Sequence, residues 1–207
     1  MSAASASSPR GLALFDFDKT LSDRDTLFDF HSLHFGRSRV YAWALGHIPS
    51  LLGCPLGWSH RGELKEHFLS HFWKGVPYEE FARAARNYSL EDMPRIVRPH
   101  ALKVLEEHLQ RGDRVLVISA SIKEWLEPWC LARGVEQVLA TEMELREGVL
   151  SGVLATPNCR GPEKVRRLRE LLNPEEYSPI YAYGDSDGDR EMLALADHPV
   201  YRWRSGS

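Results

Sequence analysis

Cysteine is scarce in this sequence. Its 207 residues include three cysteines, Cys54, Cys130 and Cys159, which are far apart and odd in number. Neither a Cys-x-x-Cys pair nor a Cys/His spacing typical of zinc sites occurs, so the sequence offers no disulfide framework and no zinc site of this kind. Free thiols persist in reducing compartments, and we therefore expect a cytoplasmic protein.

An excess of charge of one sign is also missing. The chain has 26 Lys and Arg against 29 Asp and Glu, which gives a net charge of −3, and it has no long basic block. Nucleic-acid binding is therefore not expected from the overall electrostatics. An apolar content of 43% and a charged content of 27% are typical of a soluble globular protein.

Long uninterrupted apolar runs are absent as well. Residues 1–10 lack the apolar centre of a signal peptide, and we expect them to form a loose tail. Residues 40–58 are the most apolar stretch, but His47, Pro49, Pro55 and three glycines interrupt it. A spanning helix needs about 20 largely apolar residues. We therefore expect this stretch to pack within the protein, and contact with a membrane is the less favoured alternative.

Apolar runs and helical patterns alternate along most of the chain. Residues 11–17 predict a buried strand, and residues 114–119 form a continuous apolar run suited to a parallel strand. Further predicted elements are helices over 101–112, 122–134, 161–172 and 189–196, a hairpin within 137–154, and strands over 179–185 and 199–203. Pro128 indicates a kink or break in its helix. The alternation predicts an α/β fold with a Rossmann-like, mainly parallel sheet.

A long insertion separates the first strand from the rest of this pattern. Residues 23–98 have helical patterns, are rich in aromatic residues and contain six of the nine histidines. A segment of this length is a cap or lid rather than a connecting loop. We therefore predict an α/β core formed by residues 1–22 and 99–207, with a helical cap formed by residues 23–98.

Carboxylates and a hydroxyl follow the ends of three predicted strands. Asp16 and Asp18 end the first strand, and their spacing of two residues places them on one face. Ser119 ends the second strand, and Asp185 follows the third within "GDSDGD". Ligands bind outside the carboxyl ends of parallel strands, so these groups meet at one edge. Carboxylates gathered there repel one another unless a hard cation binds, and Mg²⁺ prefers such oxygen ligands.

A lysine adds the complementary charge. Lys164 lies in the first turn of its predicted helix, where the helix dipole disfavours a cation unless an anion lies beside it. Ser119 and the backbone N–H groups that follow it, beginning at Ala120, can hold the same anion from another side. Carboxylate, magnesium, hydroxyl and ammonium together indicate a phosphoryl-transfer site.

Four motifs occur in the order and spacing of a known family. "DFDKT", "SAS", the lysine of "GPEK", and "GDSDGD" resemble the motifs of the haloacid dehalogenase-like phosphatase superfamily, over nearly the whole chain after the tail. A helical insertion directly after the first motif is similar to the C1-capped branch (subfamily IB), which includes phosphoserine phosphatase. The resemblance implies a Mg²⁺-dependent phosphatase that hydrolyses a phosphomonoester.

The resemblance also implies a role for each motif residue. Asp16 would be the nucleophile that forms an aspartyl-phosphate. Asp18 would protonate the leaving alcohol and then activate water. Ser119 and Lys164 would bind the phosphoryl oxygens and stabilise the charge of the transition state. The carboxylates of Asp16 and Asp185 and the backbone carbonyl of Asp18 would hold Mg²⁺.

Three further residues lie within these motifs. By the same resemblance, Asp189 would orient Lys164 or a metal-bound water. Thr20 would form a hydrogen bond within the first loop. Asp187 departs from the family pattern, because many relatives carry a small residue there. We expect its side chain to face solvent.

The insertion should decide the substrate by closing over the site. Asp25 stands where phosphoserine phosphatase-like proteins place an acid that contacts a substrate amine, but Asp23 or Asp25 can equally cap a helix. The apolar residues 40–58 also resemble the insert of phosphatidylglycerophosphate phosphatases. We favour a small phosphomonoester, with these residues forming the cap's own core. His60, His67 and His71 are expected to be partly exposed helix residues.

The same residue types also occur in proteins without phosphatase activity. Asp-x-Asp after a strand is found in turns, Ser119 alone suits a helix cap, and "GDSDGD" lacks the distal glutamate of an EF-hand. A receiver-type signalling domain combines clustered acids with a lysine, but its acceptor aspartate ends the third strand. A phosphotransferase remains an alternative, because the aspartyl-phosphate can pass to an alcohol. Cleavage of a carbon–halogen bond would give Asp18 no alkoxide to protonate.

Overall fold

The computed structural model describes residues 11–47 and 58–203, with residues 58–61 described by their backbone alone. The predicted N-terminal tail, the centre of the 40–58 stretch and the side chain of His60 lie outside this description. The helices and strands are, in chain order, β1 (Leu12–Phe15), α1 (Thr26–Phe35), α2 (Arg37–Gly46), α3 (Trp58–Trp73), α4 (Tyr78–Asn87), α5 (Pro99–Arg111), β2 (Arg114–Ile122), α6 (Lys123–Ala132), β3 (Gln137–Thr141), β4 (Met143–Arg146), β5 (Val149–Leu154), α7 (Pro162–Leu171), β6 (Ile180–Gly184), α8 (Arg190–Leu193) and β7 (His198–Tyr201).

Five strands form one parallel sheet in the order β3-β2-β1-β6-β7. All four residues of the central strand β1 are buried, and their side chains alternate between two cores. Leu12 and Leu14 pack with residues of α7 and α8, and Ala13 and Phe15 pack with residues of α5 and α6. The predicted α/β class with a Rossmann-like sheet is confirmed.

The sheet brings three strand ends to one edge. Phe15 at the end of β1 lies level with Val117 of β2 and Tyr183 of β6. The backbone N–H of Asp16 donates to the carbonyl of Tyr183 at 2.9 Å, so β1 remains paired up to the first predicted site residue. The carboxyl ends of β1, β2 and β6 therefore lie side by side.

The insertion between β1 and β2 is helical, with α1 to α4 inside it. Its aromatic residues form a cluster around Phe30, whose ring stacks on Trp73 at 5.7 Å between centroids. The ring of Phe30 also lies 4.9 Å from that of Trp125, which belongs to α6. The cluster is thus continuous with the core beneath the sheet.

One histidine of the insertion belongs to this aromatic core. His31 is fully buried; its Nδ1 donates to the carbonyl of Leu27 at 2.7 Å, and the indole N–H of Trp73 donates to its Nε2 at 2.8 Å. Both ring nitrogens are satisfied in the neutral form, and burial lowers the pKa of His31 to about 3. His67 and His71 are exposed, as predicted.

Of the two possibilities predicted for Pro128, a break in the helix is wrong, because α6 continues from Lys123 to Ala132. Trp125 and Trp129 on the same face of this helix are buried. Burial of two indole rings stabilises a helix by more than the loss of one backbone hydrogen bond to proline destabilises it.

The predicted hairpin is present as the antiparallel pair β4 and β5. Glu147 and Gly148 at its turn both have positive φ, at 51° and 81°. Two-residue hairpin turns with this backbone match the twist of the strands, and glycine favours the second position.

The helices of the insertion are relevant to the question of membrane contact. Within residues 11–47 and 58–203, none of the helices is long and apolar enough to cross a bilayer.

Candidate active site

The helix α7 brings Lys164 into the protein. Lys164 and Leu168 are four residues apart and both buried, so the lysine shares the inward face of the helix. Gly161 precedes α7 with φ 60° and ψ −131°, and its N–H donates to the carbonyl of Gly188 at 2.9 Å. This bond joins the start of α7 to the loop after β6.

The ammonium group of Lys164 lies between two carboxylates. Its Nζ donates to Asp16 Oδ1 and to Asp189 Oδ1, both at 2.6 Å. Lys164 and Asp189 are each 1% exposed and Asp16 is 6% exposed. Burial alone would lower the pKa of Lys164, but the two carboxylates outweigh it and raise the pKa above its usual range.

Asp16 is held on both oxygens. Lys164 donates to Oδ1, and the hydroxyl of Thr20 donates to Oδ2 at 3.2 Å. Burial raises the pKa of Asp16 to about 7, Lys164 opposes this shift, and Asp189 and Asp185 add to it. A cation at this position would favour the ionised carboxylate.

The carboxylate of Asp189, like that of Asp16, accepts hydrogen bonds on both oxygens. Its Oδ2 accepts from the backbone N–H of Asp185 at 3.2 Å and from the N–H and hydroxyl of Ser186, both at 3.0 Å. These bonds and Lys164 keep the pKa of Asp189 below its usual value, despite burial. Gly184 is required here, because an added Cβ would lie 2.4 Å from the Cβ of Asp189.

Three carboxylates of this edge could hold a metal ion. One oxygen each from Asp16, Asp185 and Asp189 lies within 4.8 Å of the others. Asp185 is half-buried, and burial together with the charge of Asp189 raises its pKa. Asp189 Oδ2 already accepts three hydrogen bonds from the loop, whereas Asp16 Oδ2 accepts one, from Thr20, so Asp16 and Asp185 are the better placed ligands for a hard cation. This donor set fits Mg²⁺.

Asp18 lies beyond the strand rather than on it, which corrects the prediction from strand alternation. β1 ends at Phe15, and residues Phe17–Leu21 form a tight turn in which Lys19 has φ 61°. Asp18 Oδ1 accepts from the backbone N–H of Thr26 at 2.8 Å. Burial, with Asp25 and Asp16 nearby, raises the pKa of Asp18 to about 8. The turn thus brings Asp18 back beside Asp16, so the alternation of side chains along a strand is not what places the two carboxylates together.

Ser119 lies at the end of β2, the strand that pairs with β1. It is buried, and its Oγ accepts from the backbone N–H of Ser121 at 3.1 Å. The pairing of β2 with β3 shifts between Ser119 and Ile122, so Ala120 lies in a bulge. A bulge at a strand end redirects backbone groups, and it lies here at the predicted phosphate-binding motif.

Asp25 is the N-cap of α1. Its Oδ1 accepts from the backbone N–H groups of Leu27 at 3.0 Å and Phe28 at 3.3 Å. The helix-capping alternative is therefore confirmed for Asp25, whereas its contact with a substrate stays a prediction. Asp187 is exposed, as expected.

A lysine from the insertion was not predicted from the sequence. Lys65 of α3 donates to the carbonyl of Ala120, and to Asn158 Oδ1 at 3.2 Å. Burial lowers the pKa of Lys65 to about 8, and the nearby Asp18 and Asp25 oppose the shift. No local sequence pattern indicates a role for Lys65, since the residues that it contacts are distant in sequence. These contacts depend on how α3 packs against the sheet.

Known proteins are similar in sequence to this chain. The family model for haloacid dehalogenase-like hydrolases matches residues 13–194. Protein CicA of Caulobacter vibrioides (strain NA1000 / CB15N) is 32% identical over 195 residues, which cover 92% of this chain and 85% of that protein. The probable phosphatase Rv3661 of Mycobacterium tuberculosis (strain ATCC 25618 / H37Rv) is 28% identical over 196 residues, covering 91% of this chain and 67% of that protein.

A solved structure also shares the fold. It is that of a phospho-aspartyl intermediate analogue of phosphoserine phosphatase, with a TM-score of 0.62 at 20% identity. The match covers 91% of this chain and 84% of that chain.

Proposed function

Since this chain belongs to the haloacid dehalogenase-like hydrolase family and is a phosphatase, we propose that it hydrolyses a small phosphomonoester with Mg²⁺ through an aspartyl-phosphate on Asp16. The observation that carries the proposal is the buried ammonium of Lys164 between Asp16 and Asp189, with Asp185 beside them. The side chains proposed as nucleophile, phosphate-binding cation and metal ligand therefore lie together at one sheet edge, which supports the proposal.

In the first step, a carboxylate oxygen of Asp16 attacks phosphorus and the bond from phosphorus to the ester oxygen breaks. The leaving oxygen takes a proton from Asp18. Burial and the nearby charges of Asp25 and Asp16 raise the pKa of Asp18, which favours the protonated form that this step requires. In the second step, water attacks the phosphorus of the aspartyl-phosphate while Asp18 takes its proton, which releases phosphate and restores Asp16.

The phosphoryl group is held by fixed donors. The ammonium of Lys164, the hydroxyl of Ser119 and the backbone of Ala120 would bind its oxygens and stabilise the charge that develops on them. Asp189 orients Lys164, and Thr20 orients Asp16, through the hydrogen bonds already described. Bound between Asp16, Asp185 and the carbonyl of Asp18, Mg²⁺ would neutralise negative charge on the acids and the phosphate.

The insertion, residues 23–98, is proposed to act as the cap over this site. Asp25 lies close enough to raise the pKa of Asp18, so an amine of the leaving group could meet it there. The lipid-phosphate alternative rests on the exposed Tyr41 and Leu45 of α2, 64% and 67% exposed, which could contact acyl chains. We favour the small substrate, because Val40 and Trp43 of the same helix are buried in the internal core.

The test is a phosphate-release screen over small phosphomonoesters and phosphatidylglycerophosphate, with Mg²⁺ or EDTA. We expect Mg²⁺-dependent turnover of a soluble ester and none by Asp16→Asn. Fluoroberyllate, which mimics a phosphoryl group, should bind to Asp16 and should not bind the variant. Turnover in EDTA, or labelling of another residue, would contradict the proposal, and activity restricted to the lipid would favour the alternative.

A further inference from the structure

The carbonyl of Ala120 lies outside the sheet's hydrogen-bond ladder. Ser119 pairs with Ala140 and Ile122 pairs with Thr141, so Ala120 and Ser121 have no paired residue on β3. Two side chains replace that partner. Thr141 Oγ1 donates to the Ala120 carbonyl at 2.8 Å, and Lys65 Nζ donates to the same oxygen.

Lys65 is an unusual donor for this oxygen. It comes from α3 in the insertion and reaches across to the sheet edge, where both acceptors of its ammonium, a backbone carbonyl and the Asn158 amide oxygen, are neutral. Burial of this ammonium costs desolvation free energy, and the nearby carboxylates of Asp18 and Asp25 offset only part of that cost. A contact made at such a cost indicates that the position of the Ala120 carbonyl matters to the site.

That carbonyl is one half of a rigid unit. The peptide bond between Ala120 and Ser121 is planar, so fixing its C=O also fixes the N–H of Ser121. This N–H donates to Ser119 Oγ at 3.1 Å. The side chain of Ser121 is held as well, because its hydroxyl lies 2.6 Å from the hydroxyl of Thr26.

We propose that Lys65 is a positioning residue, through which the seated helix α3 sets the orientation of the Ser119 hydroxyl that binds phosphate. The chain of contacts runs from Lys65 to the Ala120 carbonyl, through the peptide plane to the Ser121 N–H, and from there to Ser119 Oγ. This inference rests on the proposed function, because it concerns the phosphate-binding role of Ser119. The phosphate-binding loop, Ser119 to Ser121, is therefore complete only when the insertion is docked on the sheet.

The experiment is a double-mutant cycle of Lys65→Met and Ser119→Ala. Displacement of a binding group by about 1 Å costs on the order of 100-fold in rate, so we expect Lys65→Met to lower kcat/KM by about 10- to 100-fold. The loss should be equal for phosphate esters with anionic and uncharged leaving groups. In the Ser119→Ala background, Lys65→Met should lower kcat/KM by less than about 3-fold, because the hydroxyl that Lys65 positions is already absent.

Two further variants separate positioning from folding. Lys65→Arg keeps a charged donor at this position and should retain activity within about 3-fold of the wild type. Lys103→Met changes a lysine whose side chain is 78% exposed and should match the wild type. Thermal midpoints of all variants should be measured alongside. Loss of activity in Lys65→Arg equal to that in Lys65→Met, with both variants folded, would overturn the proposal.

A binding measurement gives a readout that does not depend on turnover. Inorganic phosphate titrated calorimetrically in Mg²⁺ should bind about 10-fold more weakly to Lys65→Met and to Ser119→Ala, and the double variant should bind it no more weakly than either single variant. Additive losses in this cycle, or losses confined to anionic leaving groups, would overturn the proposal and assign Lys65 to direct contact with substrate. If wild type turned over no ester at all, the proposed function would fail, while the phosphate cycle would still decide whether Lys65 acts through Ser119.

Discussion

At the scale of single residues, the site depends on a balance of charge around Lys164. Asp16 and Asp189 are both buried, and the ammonium that lies between them compensates their charges. A buried ion pair is weak support for stability as a whole, but removal of one partner leaves an uncompensated charge and is costly.

Lys164→Met should therefore affect both folding and activity. Methionine fills similar space without charge, so Asp16 and Asp189 would face each other across an apolar group. We expect the free energy of unfolding to fall by about 3 kcal/mol without Mg²⁺, and activity to fall by about 10²- to 10³-fold or more. Urea unfolding at pH 7, with Lys103→Met as the control, measures the first effect. A stability loss no larger than that of the control would contradict this role of the ammonium.

The buried His31 predicts how stability changes with pH. Its pKa is about 3 in the folded protein, against about 6.5 in an unfolded chain. The unfolded state therefore binds more protons between these values, so the contribution of neutral His31 is complete above pH 6.5 and is lost as the pH falls. From pH 7 to 5.5 we expect wild type to lose about 1 kcal/mol more than His31→Gln. His67→Gln, which changes an exposed histidine, should behave as wild type, and an equal loss in His31→Gln would show that His31 is not the source.

Residue types that carry chemistry could be recognised from the sequence, because their spacing follows the strand ends. Asp16, Ser119, Lys164 and Asp185 all lie at the predicted edge of the sheet. Lys65 could not be recognised, since its contact with Ala120 joins residues 55 positions apart in the chain. Nothing in the periodicity of α3 distinguishes it from a solvated lysine.

At the scale of elements, the backbone of the loop after β6 lies very close to the side chain of Asp189. The carboxylate of Asp189 folds back over Gly184 and accepts three bonds from Asp185 and Ser186. The sequence suggested a metal-binding turn here, but the need for glycine at the end of the strand is visible only in the structure.

Gly184→Ala tests that close approach. The added Cβ would lie 2.4 Å from Asp189 Cβ, and both atoms belong to parts of the chain that cannot simply rotate away. We expect a loss of about 1–3 kcal/mol in the free energy of unfolding and weaker phosphate binding, because Lys164 loses its alignment with Asp189. Gly46→Ala is the matched control, since an added Cβ there meets nothing within 4 Å. Equal urea midpoints for the two variants would contradict the close approach.

Elements were predictable where one local signal dominated, and not where two competed. β1 and β6 lie within their predicted bounds, and β2 begins at the predicted residue but continues to Ile122, three residues beyond its predicted end. Pro128 competes with buried Trp125 and Trp129, and the tertiary packing decides in favour of a continuous helix. The chain around Asp18 is a tight turn rather than an extension of β1. This turn could not be predicted, because a positive φ at Lys19 carries no clear signal in the sequence.

At the scale of the whole molecule, the insertion and the sheet share one hydrophobic core. Phe30 and Phe81 of the insertion and Phe15 of β1 belong to the same cluster of buried residues, in which Trp125 and Trp129 of α6 also lie. The predicted division falls at residues 22 and 98, yet aromatic residues on its two sides pack together. Composition alone cannot show that the two parts share a core, because it does not show which residues an aromatic side chain packs against.

A shared core predicts cooperative unfolding. Indole fluorescence reports the aromatic cluster and far-UV circular dichroism reports the helices and strands, so both should give the same urea midpoint. Phe30→Ala should lower that single midpoint for both probes, with a loss of about 3–5 kcal/mol, because the ring contacts Trp73 and Trp125 from opposite sides of the division. Tyr41→Ala removes a ring that is 64% exposed and should change stability by less than about 0.5 kcal/mol. Two separate transitions, with the fluorescence change preceding the dichroism change, would instead show that the insertion unfolds on its own, and the docking of α3 on the phosphate-binding loop would then be an equilibrium of its own.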